Sequence, residues 1–253
     1  MGVNEMDLGY DEVVDRALEE MKEKGLDEER VFKNLDSFEA VLEMSEGFRK
    51  YENQVDRDIE HLEFGGWAIF AYIFEVEGYE AFGYWRGSGD TDKYFSPGYS
   101  SIKEAWNLVY PEAELADANN SEWGNKYSEK LSGEVDVNGG MHCDFACPEK
   151  GNEDYSFEEA KEIEIGDTSL NVPSLPDLIV SKLKSPREKD ESDVVNLLYV
   201  AEEKDWSPEK VKESIYNKNE KLGERLDDIA RNKAPEIREE VRYAPSCRYI
   251  IQF

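Results

Sequence analysis

Two apolar stripes open the chain. Val13, Val14, Ala17, Leu18 and Met21 recur at the spacing of one helix face, and Phe48, Tyr51, Val55, Ile59 and Leu62 form a second such stripe. Both stripes predict helices packed on a core, so residues 1–60 are expected to be helical. Next comes Trp67-Ala68-Ile69-Phe70-Ala71-Tyr72-Ile73-Phe74, apolar without alternation and preceded by Gly65-Gly66. That pattern predicts a helix buried on all sides. Residues 91–95 read as a strand, 102–109 as a short helix, and the acidic, Asn-containing stretch 111–123 as a loop. Residues 133–137, the turn Asn138-Gly139-Gly140 and residues 141–147 give a hairpin signal. Two more short strands are expected within 157–170, around the turn Gly166-Asp167.

The last third returns to helical spacing. Ser174-Leu175-Pro176-Asp177 has the form of a capping box, followed by Leu178, Ile179 and Leu183 on one face. Residues 193–201 continue as a helix with Val194, Leu197, Leu198 and Ala201 inward. Ser207-Pro208-Glu209 starts another helix, Leu222, Leu226 and Ile229 mark one more, and Tyr249-Ile250-Ile251 reads as a terminal strand. These changes of period divide the chain into an N-terminal helical extension (1–59), a mixed core (60–172) and a C-terminal helical region (173–253). The expected class is α+β, a mixed β-sheet flanked by helices.

Charge changes this picture more than composition does. With 39% hydrophobic residues, including 14 Tyr, 11 Phe and 5 Trp, the 253 residues can fill a core. Yet 59 acids face 30 Lys and Arg, a formal charge of −29, and the acids run along the whole chain. Adaptation to a salt-rich cytoplasm accounts for such a halophilic composition, because at about 1 M salt the screening length falls to about 3 Å. The same charge argues against strong DNA binding, which needs a basic face; only residues 182–189 offer a local basic spot. No apolar run is long enough to span a bilayer, and the acidic, polar start (Met1 to Asp11) is neither a secretion signal nor a transit peptide. A soluble cytoplasmic protein without membrane partners is expected. Three cysteines, Cys143, Cys147 and Cys247, read as reduced thiols. His142, Cys143 and Cys147 lack the Cys-x-x-Cys spacing of a structural zinc site, so buried, unreactive cysteine is the preferred reading.

The candidate chemistry lies between these elements. Asp90 and Asp92 stand two apart on a predicted strand and so point to one side. A calcium loop counted from Asp90 would need oxygen and glycine where Tyr94 and Phe95 stand, so that reading fails. A plain acidic turn remains the alternative. Asp144 sits among Cys143, Phe145 and Ala146, which places it near the interior; it then either joins the other acids, faces solvent or pairs with Arg86. Two carboxylates about 4 Å apart repel by roughly 4 kcal/mol at an effective dielectric near 20. Three together call for cations, and paired Mg²⁺ (or Mn²⁺) ions about 3.5–4 Å apart are a common answer in phosphoryl and nucleotidyl transfer. Gly65 and Gly66, at the start of a helix, let backbone amides approach an anion.

Gly65-Gly66-Trp67-Ala68, Arg86-Gly87-Ser88-Gly89-Asp90-Thr91-Asp92, Asp144, and Ser174 through Lys182 with Arg187, Lys189-Asp190 and Asp193 follow one another in that order. This series resembles the minimal nucleotidyltransferase branch of the DNA polymerase beta-like superfamily, and within it the archaeal and bacterial proteins that include type IV abortive-infection toxins. The resemblance covers residues 60–200. It implies transfer of a nucleoside monophosphate from a nucleoside triphosphate to RNA (tRNA among them) or to a protein, with Mg²⁺ or Mn²⁺ as cofactor, and it brings an antitoxin partner into view. It implies that Gly65, Gly66 and Ser88 lie at the nucleotide, that Asp90 and Asp92 bind both metals, and that Asp144 shares the catalytic metal and helps deprotonate the acceptor. Lys182 matches a lysine that neutralises triphosphate charge, and Asp190 and Asp193 match trailing acids. Arg86 either touches the triphosphate or pairs with a surface acid. Trp67, Trp85 and Tyr94 either stack a base or pack in the core. Two departures stand out. Gly66 replaces a serine frequent in the superfamily, and Lys93-Tyr94 stand where apolar residues are usual, which weighs against burial of that strand. A catalytically silent interaction protein of the same fold is the alternative, and a small-molecule transferase of the aminoglycoside-modifying kind shares the site.

Overall fold

The computed structural model describes residues 10–55, 60–96, 106–107, 115–117, 127–135, 141–148, 155–204, 206 and 208–233. Two helices lead, α1 (Tyr10–Lys24) and α2 (Glu28–Val55), then strand β1 (His61–Phe64) and helix α3 (Gly65–Glu77). A 3₁₀ turn and the short α4 (Ala81–Tyr84) lead to β2 (Asp90–Phe95). The strands β3 (Leu115–Asp117), β4 (Tyr127–Val135), β5 (Met141–Pro148), β6 (Lys161–Ile165) and β7 (Thr168–Val172) follow. The helices α5 (Leu175–Leu183), α6 (Glu188–Glu203), α7 (Pro208–Lys218) and α8 (Glu220–Asp228) complete the order. The class is α+β. A mixed sheet runs β1-β2-β5-β4-β3, and β6 and β7 form a separate hairpin. β2 and β5 pair parallel; the other pairs are antiparallel.

The α3 helix explains the centre of the molecule. Every residue from Gly66 to Phe74 is buried, as an all-round apolar helix requires. It packs on β1, β2, the β6–β7 hairpin and α6. Its rings interlock with those of α2 and α4: Phe38 lies 5.7 Å from Trp67 and 5.6 Å from Phe82, and Trp67 lies 4.8 Å from Trp85. Farther along α2, Phe48 meets Phe95 and Phe145, so α2 covers one face of the sheet. One buried cluster runs from Val13 to Ala230. No described helix is long and apolar enough to cross a membrane.

Four expectations change. Leu62 belongs to β1 and not to the helical stripe that ends α2, because residues 61–64 pair with β2. Within the stretch read as a loop, Leu115–Asp117 forms strand β3 against β4. The helix expected from residue 193 begins at Glu188, which draws Asp190 onto it. The capping box at Ser174 is not made: the Ser174 hydroxyl donates to Asp177 Oδ2 at 3.1 Å, and Asp177 is held by Lys218 instead. Trp106 and Asn107 are helical, while the rest of 102–109, Ile59, the Asn138-Gly139-Gly140 turn, Ser207, Cys247 and Tyr249-Ile250-Ile251 lie outside the described residues.

Candidate active site

Strand alternation sorts the side chains of β2. Thr91, Lys93 and Phe95 are buried on the α2 side, which leaves Asp90, Asp92 and Tyr94 on the other face. The sheet register then builds the site. Asp92 lies opposite Asp144, and Asp90 opposite His142, in the parallel β2–β5 pair. On the other flank Phe64 lies opposite Asp92, so the next residue, Gly65, meets the carboxylate. Gly65 has φ +67°, which turns the chain from strand to helix, and a Cβ there would overlap Asp92 Oδ2. The N-cap residue of α3, Phe64, makes no side-chain cap bond, and the first-turn amides of such a helix are the groups that can bind an anion.

Asp92 is half-buried by surface exposure, but its carboxyl lies deep enough that desolvation raises it to about 8; the neighbouring charges of Asp90 and Asp144 add to the rise, and Lys182 opposes it. Asp90 accepts a short hydrogen bond from the Ser88 hydroxyl. A Cβ at Gly66 would come within 2.6 Å of Ser88 Oγ, so Ser88 fills the space a side chain at position 66 would need. The oxygen donors of Asp90, Asp92 and Asp144 suit a hard divalent cation. Among the described residues, however, no three His, Cys, Asp or Glu side chains are gathered closely enough to hold a metal ion as they stand.

The basic residues are engaged with acids. Lys182 is buried, with Nζ 3.2 Å from Asp190 Oδ1 and 3.1 Å from Asp193 Oδ2. Arg187 donates to both oxygens of Asp190, at 2.5 and 3.1 Å. Burial alone would raise the Asp190 carboxyl, but hydrogen bonds from Arg187 and Ser185 and the charge of Lys182 hold it below the usual carboxylate range. Arg86 pairs with Asp193, a fully buried acid rather than the surface acid that was one of its two alternatives, and Asp144 lies 3.6 Å from His142 rather than on Arg86. Trp67, Trp85 and Tyr94 are buried in ring clusters, which is core packing.

Other residues were missed or misread from the sequence. Lys93 is completely buried and paired with Glu63, its cross-strand partner in β1, and Ser45 and Thr91 complete the network. Lysine in β2 therefore marks a buried pair and not an exposed strand. Asn34 of α2 donates to the carbonyls of Phe82 and Trp85 at 2.8 and 3.1 Å. His142, considered above only as a metal ligand with the cysteines, lies 3.1 Å from Ser132 Oγ; its place two residues before Asp144 was the available hint. Cys143 and Cys147 are buried and form no disulfide, and burial raises the Cys143 thiol to about 12.

The chain matches no protein-family profile and no curated protein. Among solved structures it is similar to the antibiotic-resistance factor ANT(2'')-Ia, at 12% identity and TM-score 0.46, over 74% of this chain and 94% of that one. It is similar to an antigenic nucleotidyltransferase-like protein from Paracoccidioides brasiliensis, at 12% identity and TM-score 0.40, over 80% of this chain and 94% of that one. It is also similar to JHP933 from Helicobacter pylori, at 13% identity and TM-score 0.40, over 86% of this chain and 95% of that one. These likenesses are loose.

Proposed function

We propose that this protein is a divalent-metal-dependent nucleotidyltransferase that moves a nucleoside monophosphate from a triphosphate to a hydroxyl group of RNA or of a protein. The reading is carried by one relationship: Asp92 and Asp144 oppose each other on adjacent parallel strands, while Gly65, lacking a Cβ, lets the Asp92 carboxylate lie against the start of α3. The amides that open α3 bind and orient the triphosphate. Asp90, Asp92 and Asp144 would hold Mg²⁺ or Mn²⁺, which when bound neutralises charge on the phosphates. Asp144 takes the proton of the acceptor hydroxyl as its oxygen bonds to the α-phosphorus; the bond from that phosphorus to the bridging oxygen breaks, and pyrophosphate leaves. A role as the toxin of a toxin–antitoxin pair belongs to the same proposal.

The test is to incubate the protein with each α-labelled triphosphate, Mg²⁺ or Mn²⁺, and total RNA or cell extract. Label should pass to an acceptor with the wild type and not with Asp90→Asn or Asp92→Asn. Retention of transfer by both variants rejects the assignment. One observation favours a catalytically silent interaction protein: the acids do not converge as they stand among the described residues. Calorimetry separates the two readings, since an enzyme gives heat with Mn²⁺ and a triphosphate that Asp144→Ala abolishes.

A further inference from the structure

We infer that Arg86 is a positioning residue, clamped by Asp193 so that the loop 86–89 presents Ser88 and Asp90, and that it is not a phosphate ligand. The inference rests on the nucleotidyltransferase reading of the site. Every nitrogen of the guanidinium is already engaged. Nε and Nη2 donate to the two oxygens of Asp193 at 3.1 and 3.0 Å, and Nη1 donates to the Gly87 carbonyl at 2.8 Å. Such a two-pronged pair fixes orientation as well as distance. Arg86 and Asp193 are 107 residues apart, so this pair fastens the loop to α6 across the fold.

The acid explains why the arginine cannot readily leave. Asp193 has no exposed surface, and it shares its other cation, Lys182, with Asp190. If Arg86 swung to a ligand, a buried carboxylate would lose the partner that engages both of its oxygens. The loop is also held from the opposite side. Asn34 holds the Trp85 carbonyl, and Gly87, at φ +83°, fits against Asn34 Oδ1, which a Cβ would approach to 2.8 Å. Ser88, two residues after Arg86, then donates to Asp90. Removing the clamp should therefore disturb Asp90 without removing a group that touches substrate.

The experiment measures Mn²⁺·ATP binding by calorimetry, and amide exchange over residues 86–90 in the metal-free protein. Arg86→Gln and Asp193→Asn should each weaken binding by about 10–100-fold, the usual effect of losing a supporting partner. The double variant should be no weaker than the weaker single one, since both break one clamp. Arg86→Lys keeps the charge without the fork and should behave like Arg86→Gln. Exchange over 86–90 should quicken in all three single variants, with circular dichroism unchanged. If Asp193→Asn tightens binding, or Arg86→Lys binds like the wild type, Arg86 contacts phosphate and the inference is overturned. Unchanged exchange overturns it equally. Failure of the wild type to bind Mn²⁺ with any of the four nucleoside triphosphates sinks the nucleotidyltransferase reading instead, and exchange still decides the clamp.

Discussion

Gly65 lies so close to Asp92 that one methyl group on the glycine would overlap the carboxylate. Gly65→Ala should therefore do two things. The left-handed backbone costs about 1–2 kcal/mol with any side chain, and Asp92 must move aside. Gly25 is the control, because it has the same φ of +67° and nothing within 4 Å of its missing Cβ. Gly25→Ala should lower the melting temperature by the backbone share alone and leave Mn²⁺·ATP binding unchanged, whereas Gly65→Ala should lower it further and weaken binding at least tenfold. Equal binding by the two variants would show that Asp92 does not need the glycine.

Asp92 gives the metal-free protein a pH signature. Its carboxyl titrates near 8 in the folded state, against about 4 in an unfolded chain. Between those values the native state holds a proton that the unfolded state has lost, so this group's contribution to stability is complete below pH 4 and falls as pH rises to about 8. Asp92→Asn removes the effect. The stability of that variant relative to the wild type should grow by about 1.4 kcal/mol per pH unit across the window. Denaturant titrations from pH 5 to 9 measure it, and parallel curves for the two proteins would contradict the burial of this acid.

Behind the site, Lys93 and Glu63 are buried as a pair. Lys93→Met leaves an unpaired buried carboxylate and should cost about 3–5 kcal/mol. Adding Glu63→Leu should recover most of that loss, since apolar packing often replaces a buried ion pair at little cost. Equilibrium unfolding of the single and double variants decides. A loss in Lys93→Met no larger than that of a surface pair, about 1 kcal/mol or less, would place the lysine in solvent.

The charge of −29 predicts a salt requirement. Raising salt from about 0.1 M to about 1 M shortens the screening length from about 10 Å to about 3 Å. The melting temperature should rise over that range, and the fold should loosen in dilute buffer. Circular dichroism that stays unchanged down to dilute buffer would show that the acidic surface is tolerated without screening.

What was readable in the residues was local. Alternation put Asp90 and Asp92 on one face, and the apolar run after Gly65-Gly66 marked a helix buried all round, because both are set by the geometry of a single element. The pairing of Asp92 with Asp144 was not local, since it depends on a parallel register between strands nearly 50 residues apart in sequence. Lys93 misled for the same reason. On its own it argued for an exposed strand, and only the register with β1 supplies Glu63 as its partner. At Ser174 the local cap pattern was present, but Asp177 found Lys218 of α7 through tertiary packing. The arginine at 86 showed its type and not its partner.

The parallel pairing of β2 with β5 has a consequence for how the protein is made. A strand cannot lie parallel to its neighbour until the chain between them has travelled away and returned. While the ribosome has delivered only the first 140 residues, Asp90 and Asp92 exist without Asp144 beside them. On the nucleotidyltransferase reading proposed above, activity could therefore not precede the synthesis of β5, and a product cut short before that strand would lack the Asp92–Asp144 pair.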